Sequence, residues 1–193
     1  MKNENCVVAV FGGSRPPSDS AEYAEAYTVG KLLARAGFIV MNGGYAGTME
    51  ASARGAKENG GRTLGIISSE FGWLSPNAHL DEIVQSADLF ARIREMQTRA
   101  DAFIVLKGSM GTLAELALVW NLAKIDDKHR KPIVLVGEHW EAVVRAWREH
   151  LAVTQEEIEL LQIVVHPEQA VEQVTRALRD GYAPSPRTPS SAT

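Results

Sequence analysis

Short apolar runs alternate along this chain with longer stretches whose apolar residues recur every three or four positions. The run Cys6–Phe11 (CVVAVF) is continuously apolar and ends in Gly12-Gly13, the pattern of a strand buried on both faces. Ser20–Ala36 then places Tyr23, Ala26, Tyr27, Gly30, Leu33 and Ala34 on one helical face, with Asp19 and Glu22 at its start and Gly37 at its stop. The same alternation predicts strands at Phe38–Met41, Thr63–Ile67, Glu82–Gln85, Ala102–Leu106, Pro132–Val136 and Ile163–Val165. Helices are predicted at Thr48–Asn59, Asp88–Arg99, Leu113–Ile125, Trp140–His150, near Glu156–Leu161 and at Glu168–Asp180. Ser68–Leu80, with Trp73 and Pro76, reads as a loop at one edge.

Strand–helix alternation on this scale defines an α/β chain: a single doubly wound, Rossmann-like domain with a mostly parallel sheet and helices on both faces. One domain is expected over residues 1–180. The Pro- and Ser-rich tail, residues 181–193, is expected to be disordered.

Three of the predicted strands run directly into a turn of small residues and then a helix. The turns are Gly12-Gly13-Ser14, Asn42-Gly43-Gly44-Tyr45-Ala46-Gly47-Thr48 and Lys107-Gly108-Ser109-Met110-Gly111-Thr112. Ligands of open α/β sheets bind beyond the carboxyl ends of the strands, where helix N-termini suit an anion. A phosphate or nucleotide pocket is therefore expected, although each turn alone is equally consistent with plain tight βα geometry. Neither a Walker A loop nor a GxGxxG fingerprint is present, which argues against an ATPase and an ordinary NAD-dependent dehydrogenase.

Thr112-Leu113-Ala114-Glu115 carries two readings. T-x-x-E is the spacing of a capping box, which a Gln at 115 would also satisfy. Alternatively Glu115 faces the pocket, where a carboxylate would offset positive charge developing on a ribose. Arg92 lies beside the apolar stripe Leu89, Ile93, Met96 and Ala100, with Glu95 and Arg99. Its spacing fits either a solvated salt-bridge face or a clamp on an anionic ligand.

Composition narrows the partners. A net charge of -4 and a pI of about 5.8 argue against a nucleic-acid partner. No stretch approaches the roughly 20 apolar residues of a membrane span, so no membrane association is expected. The one cysteine, Cys6, reads as a buried structural thiol, and the chain is expected to be cytoplasmic. His79, His129, His139, His150 and His166 are scattered without ligand spacing, so no metal is expected.

With these motifs in hand, the chain resembles the LOG (LONELY GUY) family of cytokinin-activating phosphoribohydrolases, whose bacterial members are often labelled lysine decarboxylases. The family pattern PGGxGTxxE is similar to Lys107–Glu115, and its GGGxxGxM turn to Asn42–Met49. Gly12-Gly13-Ser14, the stretch Arg92–Phe103 and the connection Trp120–Lys128 with Lys131-Pro132 also match in order, so the resemblance covers about Val7 to Val165. It implies Glu115 and Arg92 as catalytic residues. The binding set it implies, with the glycine turns, is Gly13, Ser14, Gly43, Gly44, Gly47, Thr48, Met49, Gly108, Ser109, Gly111 and Thr112. It further implies hydrolysis of the N-glycosidic bond of AMP or an isoprenylated AMP, without a cofactor, in a homodimer. Leu116, Val119, Trp120 and Ala123 offer a contact face for that dimer, which core packing would explain equally well. Three positions depart from the pattern: Lys107 replaces the family Pro, Ser109 a Gly, and Ile93 the Lys after the catalytic Arg. Together they keep open the alternative of a non-catalytic nucleotide- or cofactor-binding protein of the same fold, such as a molybdenum-cofactor carrier, which Ile93 and Ser109 favour. Lysine decarboxylation would need a Schiff-base lysine that the turns do not designate.

Overall fold

The computed structural model describes residues 5–125 and 130–179. The predicted helix end at Asp180, the tail 181–193 and residues 126–129 of the connection after Trp120 lie outside these described residues. Seven strands, β1 (Val7–Phe11), β2 (Ile39–Asn42), β3 (Arg62–Ser68), β4 (Glu82–Ser86), β5 (Ala102–Val105), β6 (Ile133–Val136) and β7 (Leu161–Val164), form one sheet in the order β4-β3-β2-β1-β5-β6-β7. Every neighbouring pair is parallel. The connecting helices are α1 (Ala21–Arg35), α2 (Thr48–Lys57), α3 (Leu89–Arg99), α4 (Met110–Ile125), α5 (His139–His150), α6 (Gln155–Ile158) and α7 (Pro167–Arg179).

The period of two within each strand divides the core into two layers. Val8 and Val10 of β1 pack with Val40, Ile104 and Val134 under α1, α2 and α7. Ala9 and Phe11 point the other way, joining Met41, Ile66, Phe103 and Leu135 under α3, α4 and α5. Leu116, Val119 and Ala123 of α4 belong to this second layer, and Trp120 stacks on Trp147 with ring centroids 5.4 Å apart. That helix face is thus core and not a free contact surface.

Several boundaries differ from the sequence reading. The cap of α1 is Ser20, whose hydroxyl accepts from the Tyr23 N–H, and not Asp19. The real capping box is Thr154 with Glu157, opening α6. Helix α4 starts at Met110, because the Ser109 carbonyl accepts from the Leu113 N–H. Thr112 therefore lies inside the first turn, and Thr112 and Glu115 do not form a capping box. Among the described residues no helix is long and apolar enough to cross a membrane.

The chain winds outward from β1 to β4, returns to β5 beside β1, and continues out to β7. The switch point falls between β1 and β5, where such sheets open a crevice at their carboxyl edge.

Candidate functional site

A cavity of about 320 Å³ occupies that crevice. Phe11, Gly12 and Ser14 from the end of β1 line one side, and Gly43, Tyr45 and Met49 from the β2–α2 turn line another. Ser109, Gly111, Thr112 and Glu115 come from the start of α4, and Leu89, Arg92 and Ile93 from α3. The remaining wall is Phe71, Trp73 and Leu74, with Val10 and Ala114 completing the lining.

The β2–α2 turn is shaped by Asn42, which is fully buried. Its amide donates to Met49 O at 2.8 Å and Ser52 Oγ at 3.1 Å, and its Oδ1 accepts from Gly44 N at 2.8 Å. Gly47 follows at φ 68°, a left-handed conformation that favours glycine, and a Cβ there would stand 2.5 Å from Gly13 O. That same Gly13 carbonyl accepts from Thr48 N at 2.9 Å and Thr48 Oγ1 at 3.0 Å. The first N–H of α2 is thereby spent on the β1 turn, which ties the two glycine loops together. The first N–H groups of α4 have no acceptor within their helix, as at any helix N-terminus. Gly111 leaves open space beside them, with no atom within 4 Å of where a Cβ would stand.

At the floor of the cavity lies an ion pair. Arg92 Nη1 donates to Glu115 Oε1 at 3.0 Å, with side-chain exposures of 6% and 11%. Arg92 Nε donates to the carbonyl of Ile66 at 2.8 Å, fixing the guanidinium against β3. Its Cζ stands 6.0 Å from the centroid of the Tyr45 ring, the outer reach of a cation–π contact. Tyr45 is itself held, its hydroxyl donating to Ser68 O and accepting from Ser68 N. A Cβ on Gly43 would fall 1.8 Å from Arg92 Nη2, so glycine at 43 is what admits the arginine. Burial pushes the Glu115 carboxyl above its ordinary value of 4.5, and attraction to Arg92 opposes this without cancelling it.

The solvated-face reading of Arg92 is therefore replaced: of Arg92, Glu95 and Arg99, the latter two pair at 2.6 Å on the solvent side of α3 while Arg92 is buried. Of the residues anticipated for the site, Arg92, Glu115, Ser14, Gly43, Met49, Ser109, Gly111 and Thr112 meet around the cavity. Gly13, Gly44, Gly47, Thr48 and Gly108 do not line it; they stand behind the wall and set the turns. Lys107 also faces elsewhere, pairing with Glu22 at 3.4 Å. Ile93 lines the cavity and is buried, leaving an apolar surface beside Arg92. Sequence reasoning missed Tyr45, Phe71, Trp73 and Leu74 as wall residues. The available signal was three large apolar side chains within four positions, Phe71 to Leu74, of a segment with no helical or strand period.

An all-parallel sheet with glycine-rich turns and a buried ion pair under its switch-point cavity defines an open α/β protein whose cavity lies where sheets of this kind bind their ligands. The chain belongs to the SLOG cluster4 family, whose model matches residues 5–171. It is 37% identical over 145 residues to a cytokinin riboside 5'-monophosphate phosphoribohydrolase of Mycobacterium tuberculosis, covering 72% of this chain and 75% of that protein. The corresponding protein of Mycobacterium marinum is 35% identical over 152 residues, covering 76% and 79%. These matches bear out the LOG resemblance. Among solved structures, the molybdenum cofactor binding protein from Rippkaea orientalis superposes with a TM-score of 0.70 at 24% identity, covering 90% of this chain and 98% of that one. That likeness concerns the fold alone.

Proposed function

We propose that this protein is a hydrolase that cleaves the N-glycosidic bond of a nucleoside 5′-monophosphate, AMP or an isoprenylated AMP, to free base and ribose 5-phosphate. The observation that carries the reading is the buried Arg92–Glu115 pair at the cavity floor, one turn into the helix whose N-terminus opens on the same cavity. Cleavage of an N-glycoside passes through an oxocarbenium-like state, and a carboxylate already present in a low-dielectric site stabilises that charge without reorganising. In this reading Glu115 faces the anomeric carbon and supports the attack of water. Arg92 engages the leaving base side, and its fixed position keeps Glu115 oriented.

The 5′-phosphate is assigned to the N-terminus of α4 at Gly111 and Thr112, with the hydroxyls of Ser14 and Ser109 beside it. The start of α2 is the weaker candidate, since Thr48 N is already bonded to Gly13 O. The activity named for the two mycobacterial relatives, on a riboside 5'-monophosphate, supports a 5′-phosphate as part of the ligand. The reading includes a homodimer acting in the cytoplasm; Phe90 and Met110, both exposed and adjacent in sequence to cavity-lining residues, support a protein partner near the cavity mouth.

The test is to incubate the purified protein with AMP and with isoprenyl-AMP and to follow free base by chromatography. Release from either supports the hydrolase, and the ratio of rates gives the base preference. A second reading, a nucleotide-binding protein without hydrolase activity, is favoured by the apolar Ile93 in the cavity. It gains the ground if AMP raises the melting temperature and no base is released.

A further inference from the structure

The wall formed by Phe71, Trp73 and Leu74 has no part in the chemistry assigned above, yet it is built with care. Trp73 is 78% exposed, an unusual placement for the largest apolar side chain. It is not on a loose arm. On its N-terminal side Leu89 N donates to Glu70 Oε2 at 2.8 Å, and Ser69 Oγ donates to the carbonyl of Ala87. On its C-terminal side Asn77 N donates to Gly44 O at 2.9 Å and Asn77 Nδ2 to Tyr45 O at 3.0 Å. Between these anchors Leu74 N donates to Phe71 O at 2.8 Å, closing a tight turn with Trp73 at its tip.

The rings form a ladder. Tyr45 and Phe71 meet edge to face at 5.9 Å, and Phe71 and Trp73 at 5.8 Å, with interplanar angles of 82° and 81°. The ladder runs from the Tyr45 ring beside Arg92 to the exposed indole at the cavity mouth. Besides Tyr45, whose hydroxyl is bonded to Ser68, and Arg92, whose guanidinium is held by Glu115 and Ile66, the side chains lining the cavity from β2–α2, this turn and α3 are Met49, Phe71, Trp73, Leu74, Leu89 and Ile93. None of these six has a carboxylate or amide with which to read the hydrogen-bonding edge of a base, so beyond Arg92 a base held here is held by its faces.

Resting on the nucleotide reading above, we propose that Trp73 is the base-stacking residue of the site. The nucleobase lies against the Trp73 indole, while the phosphate end sits at α4. Stacking of a base on an aromatic side chain is sequence-tolerant, because every base has a π-face. Trp73 is then a binding and positioning residue that acts through affinity, and the site discriminates bases by stacking area more than by their hydrogen-bonding pattern.

The four tryptophans make this measurable. Trp120, Trp140 and Trp147 form a separate cluster, with Trp147 centred 5.4 Å from Trp120 and 6.3 Å from Trp140, and none lines the cavity. Tryptophan fluorescence, read by rapid mixing before turnover, is to be run on the full chain with AMP and with ribose 5-phosphate, which lacks a base, and calorimetry with the same pair in the E115Q background. AMP should quench the exposed, red-shifted part of the emission in the wild type. Trp73→Phe should bind AMP within about threefold of wild type with the quench gone, and Trp73→Ala should weaken AMP about tenfold, the scale of one stacked base. Ribose 5-phosphate should bind all three proteins alike. The inference is overturned if Trp73→Ala binds AMP as the wild type does. It is equally overturned if that variant loses AMP and ribose 5-phosphate in parallel, which marks a collapsed loop. Absence of any AMP binding by the wild type would remove the nucleotide reading itself, and this inference with it.

Discussion

Replacing Glu115 by Gln separates two forces that act on one buried carboxylate. Gln keeps the shape and the oxygen that accepts from Arg92 at 3.0 Å, and removes only the charge. Loss of one partner of a buried ion pair commonly costs about 3–5 kcal/mol. Here that cost is reduced, because Gln still accepts from Arg92 and burial already disfavours the ionised Glu115 carboxyl, holding it above 4.5 in spite of Arg92. A group whose folded value is raised stabilises the fold fully below its unfolded value, and that contribution is lost as pH rises through the folded value. Ionisation of Glu115 is therefore unfavourable to the fold relative to its neutral form, and the neutral isostere Gln does not incur that cost. E115Q should melt within roughly 4 °C of wild type, equivalent to about 1 kcal/mol for a chain of this size, with the difference moving in favour of the variant as pH rises.

Arg92→Met is the asymmetric counterpart. It strands the Ile66 carbonyl and leaves Glu115 without its cation, so a loss of about 3–5 kcal/mol is expected. Base release should fall about 100- to 1000-fold in E115Q, the cost of removing one electrostatic stabiliser of a transition state. Differential scanning fluorimetry at several pH values and chromatographic base release would measure both. A melting temperature for E115Q far below wild type at neutral pH would show that attraction to Arg92 outweighs burial. Full turnover by E115Q would refute the catalytic assignment.

Three other outcomes follow from the same geometry. In the wild type, kcat/KM should fall as pH drops through the Glu115 value, placing the acid limb of the rate profile above the ordinary carboxylate range near 4.5; a limb at or below that range would contradict the burial argument. Gly43→Ala should lose base release and about 1–3 kcal/mol of stability in a denaturant titration, since the new methyl would meet Arg92 Nη2. Gly111→Ala has open space and a helical position, so it should gain up to about 1 kcal/mol of stability, while weaker ribose 5-phosphate binding by calorimetry would register the crowded mouth of α4.

The middle of the sheet was legible because β1, β5 and β6 are buried on both faces, which writes each as an unbroken apolar run such as Val7–Phe11 or Ile133–Val136. The glycine turns marked the carboxyl edge for the same reason: close backbone approach leaves a composition, as at Gly43 and Gly47. What remained hidden depends on distance in space. Thr112 and Glu115 have capping-box spacing, but the helix begins at Met110, and the partner of Glu115 is 23 positions away on α3. Arg92 shares its helical period with the solvated Glu95 and Arg99, and only the turn of α3 toward β3 buries it. The aromatic wall has no period at all, because Phe71, Trp73 and Leu74 sit in a turn whose orientation comes from Asn77 and Glu70.

The bond from Arg92 Nε to the carbonyl of Ile66 has a consequence for entropy. An arginine side chain free to explore its rotamers carries about 2 kcal/mol of conformational entropy, which a ligand that immobilised it would have to overcome. Held at one end by β3 and at the other by Glu115, Arg92 surrenders that freedom when the chain folds. A ligand arriving at the cavity meets a guanidinium already still, so more of each contact it makes survives as affinity or as rate.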